Sequence, residues 1–168
     1  YDFSGSHVRL SLLRSAEYPK PYSGGEPRER LTDQGEHEFH IALYPHGKEY
    51  RLIDTVRRAF EYNYQALPIL VKQHDGELPL EHSFMTVRGD VILTVLKRSD
   101  LDEDSYVARM YEPEGEDKLV EVKLPRRVKE AHIVNLLEED PKPLKVEEGR
   151  IEVEVPKFKI CSVKFRPM

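Results

Sequence analysis

From Ser83 onward the chain is a succession of short runs in which apolar and polar residues alternate, each closed by turn-forming residues. A period of two sends one edge of each run into a core and the other into water, the pattern of a half-buried strand. Seven such runs are present: Ser83–Val87, Val91–Lys97, Tyr106–Tyr111, Leu119–Leu124, Ala131–Leu136, Ile151–Val155 and Lys159–Phe165. Arg88-Gly89-Asp90, Ser99–Asp104, Glu112–Asp117, Pro125–Lys129, Glu138–Val146 and Pro156 separate them. Seven short strands with little helix between them predict an antiparallel β-sandwich. Its core is expected to be lined by Ile92/Thr94/Leu96, by Val107/Arg109/Tyr111 or their alternates, by Val120/Val122/Leu124 and by Ile151/Val153/Val155.

The earlier residues read differently. His7–Leu13 and His37–Tyr44 alternate as strands, with Val8, Leu10 and Leu12 on one face of the first. In the second, His37, Phe39, Ile41 and Leu43 share a face. Between them Tyr18–Arg30 carries three prolines and a Gly-Gly pair, which forbid regular structure. A loop of that length inside a compact domain is usually functional or mobile. Ile53, Val56, Phe60 and Tyr64 recur at helical spacing, so one short helix is expected over about 50–64, broken by Leu67-Pro68. The composition shift near residues 76–80 suggests two β units, 1–76 and 77–168.

Charge narrows the function. With 26 Lys and Arg against 31 Asp and Glu in 168 residues, the chain lacks the basic excess of a nucleic-acid binder. No apolar run approaches the roughly 20 residues that span a bilayer. The opening Tyr1-Asp2-Phe3-Ser4-Gly5 is neither an initiator Met nor a secretory signal, so a cytoplasmic piece of a longer protein is expected. The charge excess, 12 prolines and scarce Asn and Gln suggest a thermophilic source. Cys161, alone and inside an alternating run, excludes an internal disulfide and reads as a buried core thiol.

His37, His40 and His46 invite a metal reading, but on a strand a spacing of three puts His37 and His40 on opposite faces. No metal site is expected. Glu36 and Glu38 resemble the carboxylate pair of a glycosidase, with roughly 7 Å between Cα atoms on a strand. In a chain with 31 acids such pairs arise by chance, and solvated strand-edge charges are the expected reading. Leu137-Glu138-Glu139-Asp140 and Glu147-Glu148 read as solvated turns. No phosphate-binding glycine loop, Gly-x-Ser-x-Gly elbow or His-Glu-x-x-His motif is present.

The residues go further when taken in order. Val8-Arg9-Leu10-Ser11-Leu12-Leu13-Arg14-Ser15, Tyr18-Pro19, Asp33-Gln34-Gly35-Glu36-His37-Glu38-Phe39 and Ala42-Leu43-Tyr44-Pro45-His46 together resemble the C-terminal region of the class II α-mannosidases, glycoside hydrolase family 38. Leu136-Leu137-Glu138-Glu139 fits the terminal β domain of that family. One departure is clear: the chain carries Ser23–Thr32 where prokaryotic members have a residue or two.

The resemblance implies a mainly β fold. It would be the end of a large galactose-mutarotase-like sandwich plus a small terminal sandwich, both antiparallel, with one short helix. It implies a parent that is a retaining exo-α-mannosidase, whose catalytic barrel supplies the nucleophile and a zinc ion. None of that barrel's motifs is found here, so this chain would be non-catalytic, without a cofactor of its own. It would support the barrel and line its entrance, with oligomerisation as a further role. Arg30, four residues before Gln34, matches the spacing of an arginine that relatives place near the sugar. Arg30, Asp33, Gln34 and Gly35 are therefore the candidate substrate-binding residues. A guanidinium offers a planar fork of donors to sugar hydroxyls. The alternative is a free-standing carbohydrate-binding or protein-interaction module that uses Tyr18, Tyr22 and Tyr44 as platforms, since Trp is absent.

Overall fold

The computed structural model describes residues 1–15, 32–125 and 127–168. They fall into two units, 1–43 and 44–168. Among the described residues no helix is long and apolar enough to cross a membrane.

In the first unit β1 (Asp2–Ser4) pairs antiparallel with β2 (His7–Arg9), Phe3 opposite Val8. Gly5 makes the reversal at φ 62°, which glycine reaches without steric cost. Beyond Arg9 the ladder stops. Leu10–Leu13 and His37–Leu43 lack strand pairing, and Val8, Leu10, Leu12, Phe39, Ile41 and Leu43 are all exposed. The strand expected over His7–Leu13 thus shrinks to three residues, and the one expected over His37–Tyr44 does not form. Alternation supplies a strand with a face, but only a neighbouring chain supplies its hydrogen bonds.

Among the described residues of the second unit, α1 (Leu52–Asn63) precedes nine strands: β3 (Thr86–Arg88), β4 (Ile92–Arg98), β5 (Tyr106–Tyr111), β6 (Lys118–Lys123), β7 (Val128–Val134), β8 (Lys142–Pro143), β9 (Val146–Glu147), β10 (Arg150–Val155) and β11 (Ile160–Pro167). They form a four-stranded sheet, β3-β6-β10-β9, and a five-stranded sheet, β4-β5-β11-β7-β8. Every pairing is antiparallel. All seven expected strands are present, each within a few residues of the run that announced it.

Buried side chains from both sheets make one core. Val120, Val122, Ile151, Val153 and Val155 come from the four-stranded sheet, and Ala108, Met110, Ala131, Cys161, Val163 and Phe165 from the other. The β6 and β10 faces are as expected, apart from Leu124, which is only partly buried. In β5 the alternates Ala108 and Met110 enter the core. In β4 the expected face Ile92/Thr94/Leu96 is wrong. A bulge between Leu93 and Val95 lets Ile92 lie opposite Tyr111 and Leu96 opposite Ala108. The extra residue flips the side-chain parity that follows it, so Ile92, which is buried, and Leu96 lie on opposite faces of β4, while Thr94 and Leu96 are both exposed. Cys161 is 3% exposed, and burial pushes its thiol up to about 11, which suits an inert core residue.

The helix is held by charge as well as by packing. Ile53 is fully buried, and the Phe60 ring lies 6.5 Å from that of Tyr111. Arg51 offers no side-chain cap. Glu114, from the β5–β6 loop, accepts the Ile53 N–H at 3.3 Å instead, placing an acidic group at the helix start. Arg51 pairs with Asp90 at 2.5 Å and with Glu114 at 3.4 Å, and Lys118 pairs with Glu114 and Glu116. Arg57 donates to the Gly89 carbonyl at 2.9 Å.

Candidate functional site

Asp33, Gln34 and Gly35 form an exposed turn in the first unit. Asp33 takes φ 55°, a conformation that Asp tolerates better than most residues. Its carbonyl accepts the His37 Nε2–H at 2.9 Å, and its carboxylate accepts the Thr32 hydroxyl at 3.1 Å. Gln34 Nε2 donates to Ser15 Oγ at 3.1 Å and to the Thr32 carbonyl at 3.3 Å, while Ser15 Oγ donates to the same carbonyl at 2.7 Å. Gly35 has φ 142°, and none of the described residues stands within 4 Å of where its Cβ would be, so among them the backbone is open to close approach. The turn therefore brings together a carboxylate, a primary amide and a backbone that no described residue covers. That set can bind hydroxyl groups, but it includes no nucleophile set against an acid. Arg30, Tyr18 and Tyr22 lie outside the described residues, as does most of the Tyr18–Asp33 loop.

The other sequence candidates are scattered. Glu38 pairs with His40 at 3.2 Å with both side chains in solvent, and Glu36 is exposed. A carboxylate couple that cleaves a glycosidic bond needs a shielded acid, and none of the described residues shields these. His46 donates to the Gly47 carbonyl at 3.1 Å. Among the described residues no three His, Cys, Asp or Glu side chains gather as metal ligands. The zinc implied for the parent thus finds no fitting donor set in them.

Two buried carboxylates in the second unit were not legible as such. Glu112, 1% exposed at the end of β5, accepts four backbone N–H groups. Glu114 and Gly115 donate at 2.7 Å, Phe158 at 3.1 Å and Glu116 at 3.3 Å. Burial alone would raise its pKa, but the four donors prevail and hold it below the ordinary carboxylate range. It ties the β5–β6 loop to the β10–β11 turn.

Glu138 corrects the expectation of a solvated turn, because it is 3% exposed. Its carboxylate meets Lys97 Nζ at 2.7 Å, the Ser99 hydroxyl at 2.5 Å and the Asp100 N–H at 3.0 Å. Burial opposes ionisation here too, but Lys97, Ser99 and the backbone donor hold its pKa down at about 2. Nearby, Asp102 accepts from Ser105, Arg166 and the Asp104 N–H, and its pKa is lowered to about 2. An Asn before the turn, with a Glu three residues on, was the available sequence signal. Asn135 Oδ1 accepts from Leu137 and Glu139 N–H, which shapes the turn so that Glu138 points inward.

Both buried carboxylates are satisfied within the protein and secure loops. The terminal unit is thus an antiparallel sandwich in which Glu112 and Glu138 anchor its own loops. Residues 90–163 match the family described as the glycosyl hydrolases family 38 C-terminal beta sandwich domain. The match runs from β4 into β11 and includes both carboxylates. No curated protein matches the chain.

Proposed function

We propose that the chain is the non-catalytic C-terminal β region of an α-mannosidase. Residues 1–76 would end a large sandwich and 77–168 form the small terminal one. The observation that carries this reading is the match of residues 90–163 to a C-terminal domain of family 38 glycosyl hydrolases, a domain that belongs with a catalytic domain in its parent enzyme. The exposed alternating runs around Leu10–Leu13 and Phe39–Leu43 support it, because such runs suit strands of a larger sheet. In this reading the Asp33-Gln34-Gly35 turn, with Arg30, lines the entrance to the sugar site and binds mannoside hydroxyls. The nucleophile, the general acid and the zinc belong to the catalytic domain, and the parent is a cytoplasmic, thermophilic enzyme.

The test compares parent and piece. The full-length enzyme is expected to hydrolyse an aryl α-mannoside and to hold zinc. The isolated 168-residue chain is expected to do neither, and to self-associate through its exposed apolar runs. Turnover above a buffer blank, or one equivalent of tightly held zinc in the isolated chain, overturns the reading.

A narrower result follows for Glu36 and Glu38. Alanine at both positions in the full-length enzyme is expected to lower kcat/KM less than about tenfold, through placement of the neighbouring turn. A loss on the scale of a missing nucleophile, about 10⁴-fold or more, would make them the catalytic couple.

A further inference from the structure

The outer face of the five-stranded sheet is not the plain solvated surface that one side of an antiparallel sheet commonly presents. Ala131, Val163 and Phe165 turn into the core, so alternation sends Glu130, His132, Lys164 and Arg166 outward. Lys164 lies opposite His132, and Arg166 opposite Glu130, near enough for both pairs to act on one ligand. Val107, Val134 and Ser162 share this outer face and are nonetheless buried. Where that cover ends, Asp102 from the β4–β5 loop and Glu138 from the β7–β8 turn join the four outward side chains in lining a cleft of about 190 Å³.

Several polar groups of this cleft are left over by the fold. Arg166 pairs through Nη2 with Asp102 and through Nη1, at 3.4 Å, with Glu130, yet its buried Nε–H has no acceptor. Among the described residues the Lys164 ammonium and the His132 ring meet neither a hydrogen-bond partner nor a counter-ion, and Glu130 accepts no hydrogen bond. A buried donor without an acceptor is costly, and in a native fold it marks a place for a water or a ligand.

The lining selects the ligand. Lys97 answers Glu138, and Asp102 with Glu130 balances Lys164 with Arg166, so a bare anion meets no excess of positive charge. Among the described residues no three side chains gather as metal ligands. Free donors beside a free carboxylate suit neighbouring hydroxyl groups, since each hydroxyl donates one hydrogen bond and accepts others. The cleft is smaller than the roughly 300–1,000 Å³ of drug-sized sites, which suits one ring rather than a chain of them.

We infer that this cleft binds one neutral polyhydroxylated ring, a monosaccharide unit. Glu130 accepts from one hydroxyl, and Lys164, His132 and the Arg166 Nε–H donate to that oxygen and its neighbour. The site holds the sugar without acting on it, and it shares no residue with the Asp33-Gln34-Gly35 turn. It does not depend on the identity of the parent enzyme.

The test is saturation-transfer NMR on the 168-residue chain, with methyl α-mannoside and methyl α-glucoside as probes. At least one glycoside is expected to bind, with a Kd in the millimolar range. Cyclohexanol, a ring without neighbouring hydroxyls, is expected to give no signal. Lys164→Ala with His132→Ala is expected to raise the Kd at least about tenfold, with the melting temperature unchanged. Glu130→Gln, at an exposed position that cannot compromise the core, is expected to weaken binding as well. No signal from either glycoside, an equal signal from cyclohexanol, or affinity unaltered in both variants overturns the inference. So does displacement of the glycoside by an equal concentration of inorganic phosphate, which would make the cleft an anion site. Hydrolysis by the full-length enzyme is read separately. A chain that binds glycoside here while its parent cleaves no α-mannoside defeats the mannosidase reading alone.

Discussion

Glu112→Ala is expected to destabilise the terminal unit by about 3 kcal/mol, the larger of the single-residue effects, and to lower its melting temperature by roughly 10 °C. The carboxylate accepts the N–H groups of Glu114, Gly115, Glu116 and Phe158. Its removal strands four donors at once. A stranded buried donor costs about 1–3 kcal/mol, but these lie in part-buried loops, so water recovers some of the loss. Glu112→Gln keeps one acceptor oxygen and turns an amide N–H₂ toward the remaining donors, so an intermediate loss is expected. Denaturant unfolding of the isolated chain measures both. A loss below about 1 kcal/mol for Glu112→Ala would mean that the loops hold without the carboxylate.

How much of this was legible follows from the range of each interaction. The seven strands of the sandwich were readable because alternation is written within six or seven consecutive residues. The bulge beside Thr94 was not, since it is a relation between β4 and β5 rather than a property of either. The run Phe39–Leu43 has the same local pattern as β10, yet β10 finds β6 along its full length. No described segment pairs with Phe39–Leu43, so the same text gives a different structure. Asp33, Gln34 and Gly35 were singled out by resemblance, and the His37 bond that holds their turn spans only four residues. Glu138 and Glu112 were missed for the opposite reason. Their partners Ser99 and Phe158 lie 39 and 46 residues away, and apart from Asn135 ahead of Glu138 nothing in these charge runs marks such a destination. A Glu inside an acidic run is ordinarily solvated because burying a carboxylate costs more than a lone partner returns. Here a cation, a hydroxyl and a backbone N–H converge.

That convergence makes the stability of the chain depend on acid. The folded pKa of Glu138 is about 2, against an ordinary 4.5. A carboxylate whose pKa falls on folding stabilises the native state fully above its unfolded value, and the contribution is lost as pH drops toward the folded value. Through such carboxylates stability is therefore expected to be flat from about pH 5 to neutral pH and to decline between about pH 5 and pH 2. Glu138 supplies on the order of 2–3 kcal/mol of that fall. Asp102, lowered from 3.8 to about 2 by Ser105 and Arg166, and Glu112, which despite its burial four backbone donors hold below its ordinary range, titrate in the same direction, so the wild-type decline belongs to all three groups. Glu138→Gln separates them. It removes the titrating charge while keeping an oxygen to accept the Ser99 hydroxyl and the Asp100 N–H. Lys97 retains Asp100 as a partner. At pH 7 the variant is expected to be less stable than the wild type, and by pH 2 most of that difference should have vanished. Urea unfolding at pH 7, 4 and 2 reads the difference directly. A gap that stays constant across the three values would show that Glu138 does not change ionisation on folding, and that the turn carrying Leu136 and Leu137 is pinned by shape rather than by charge.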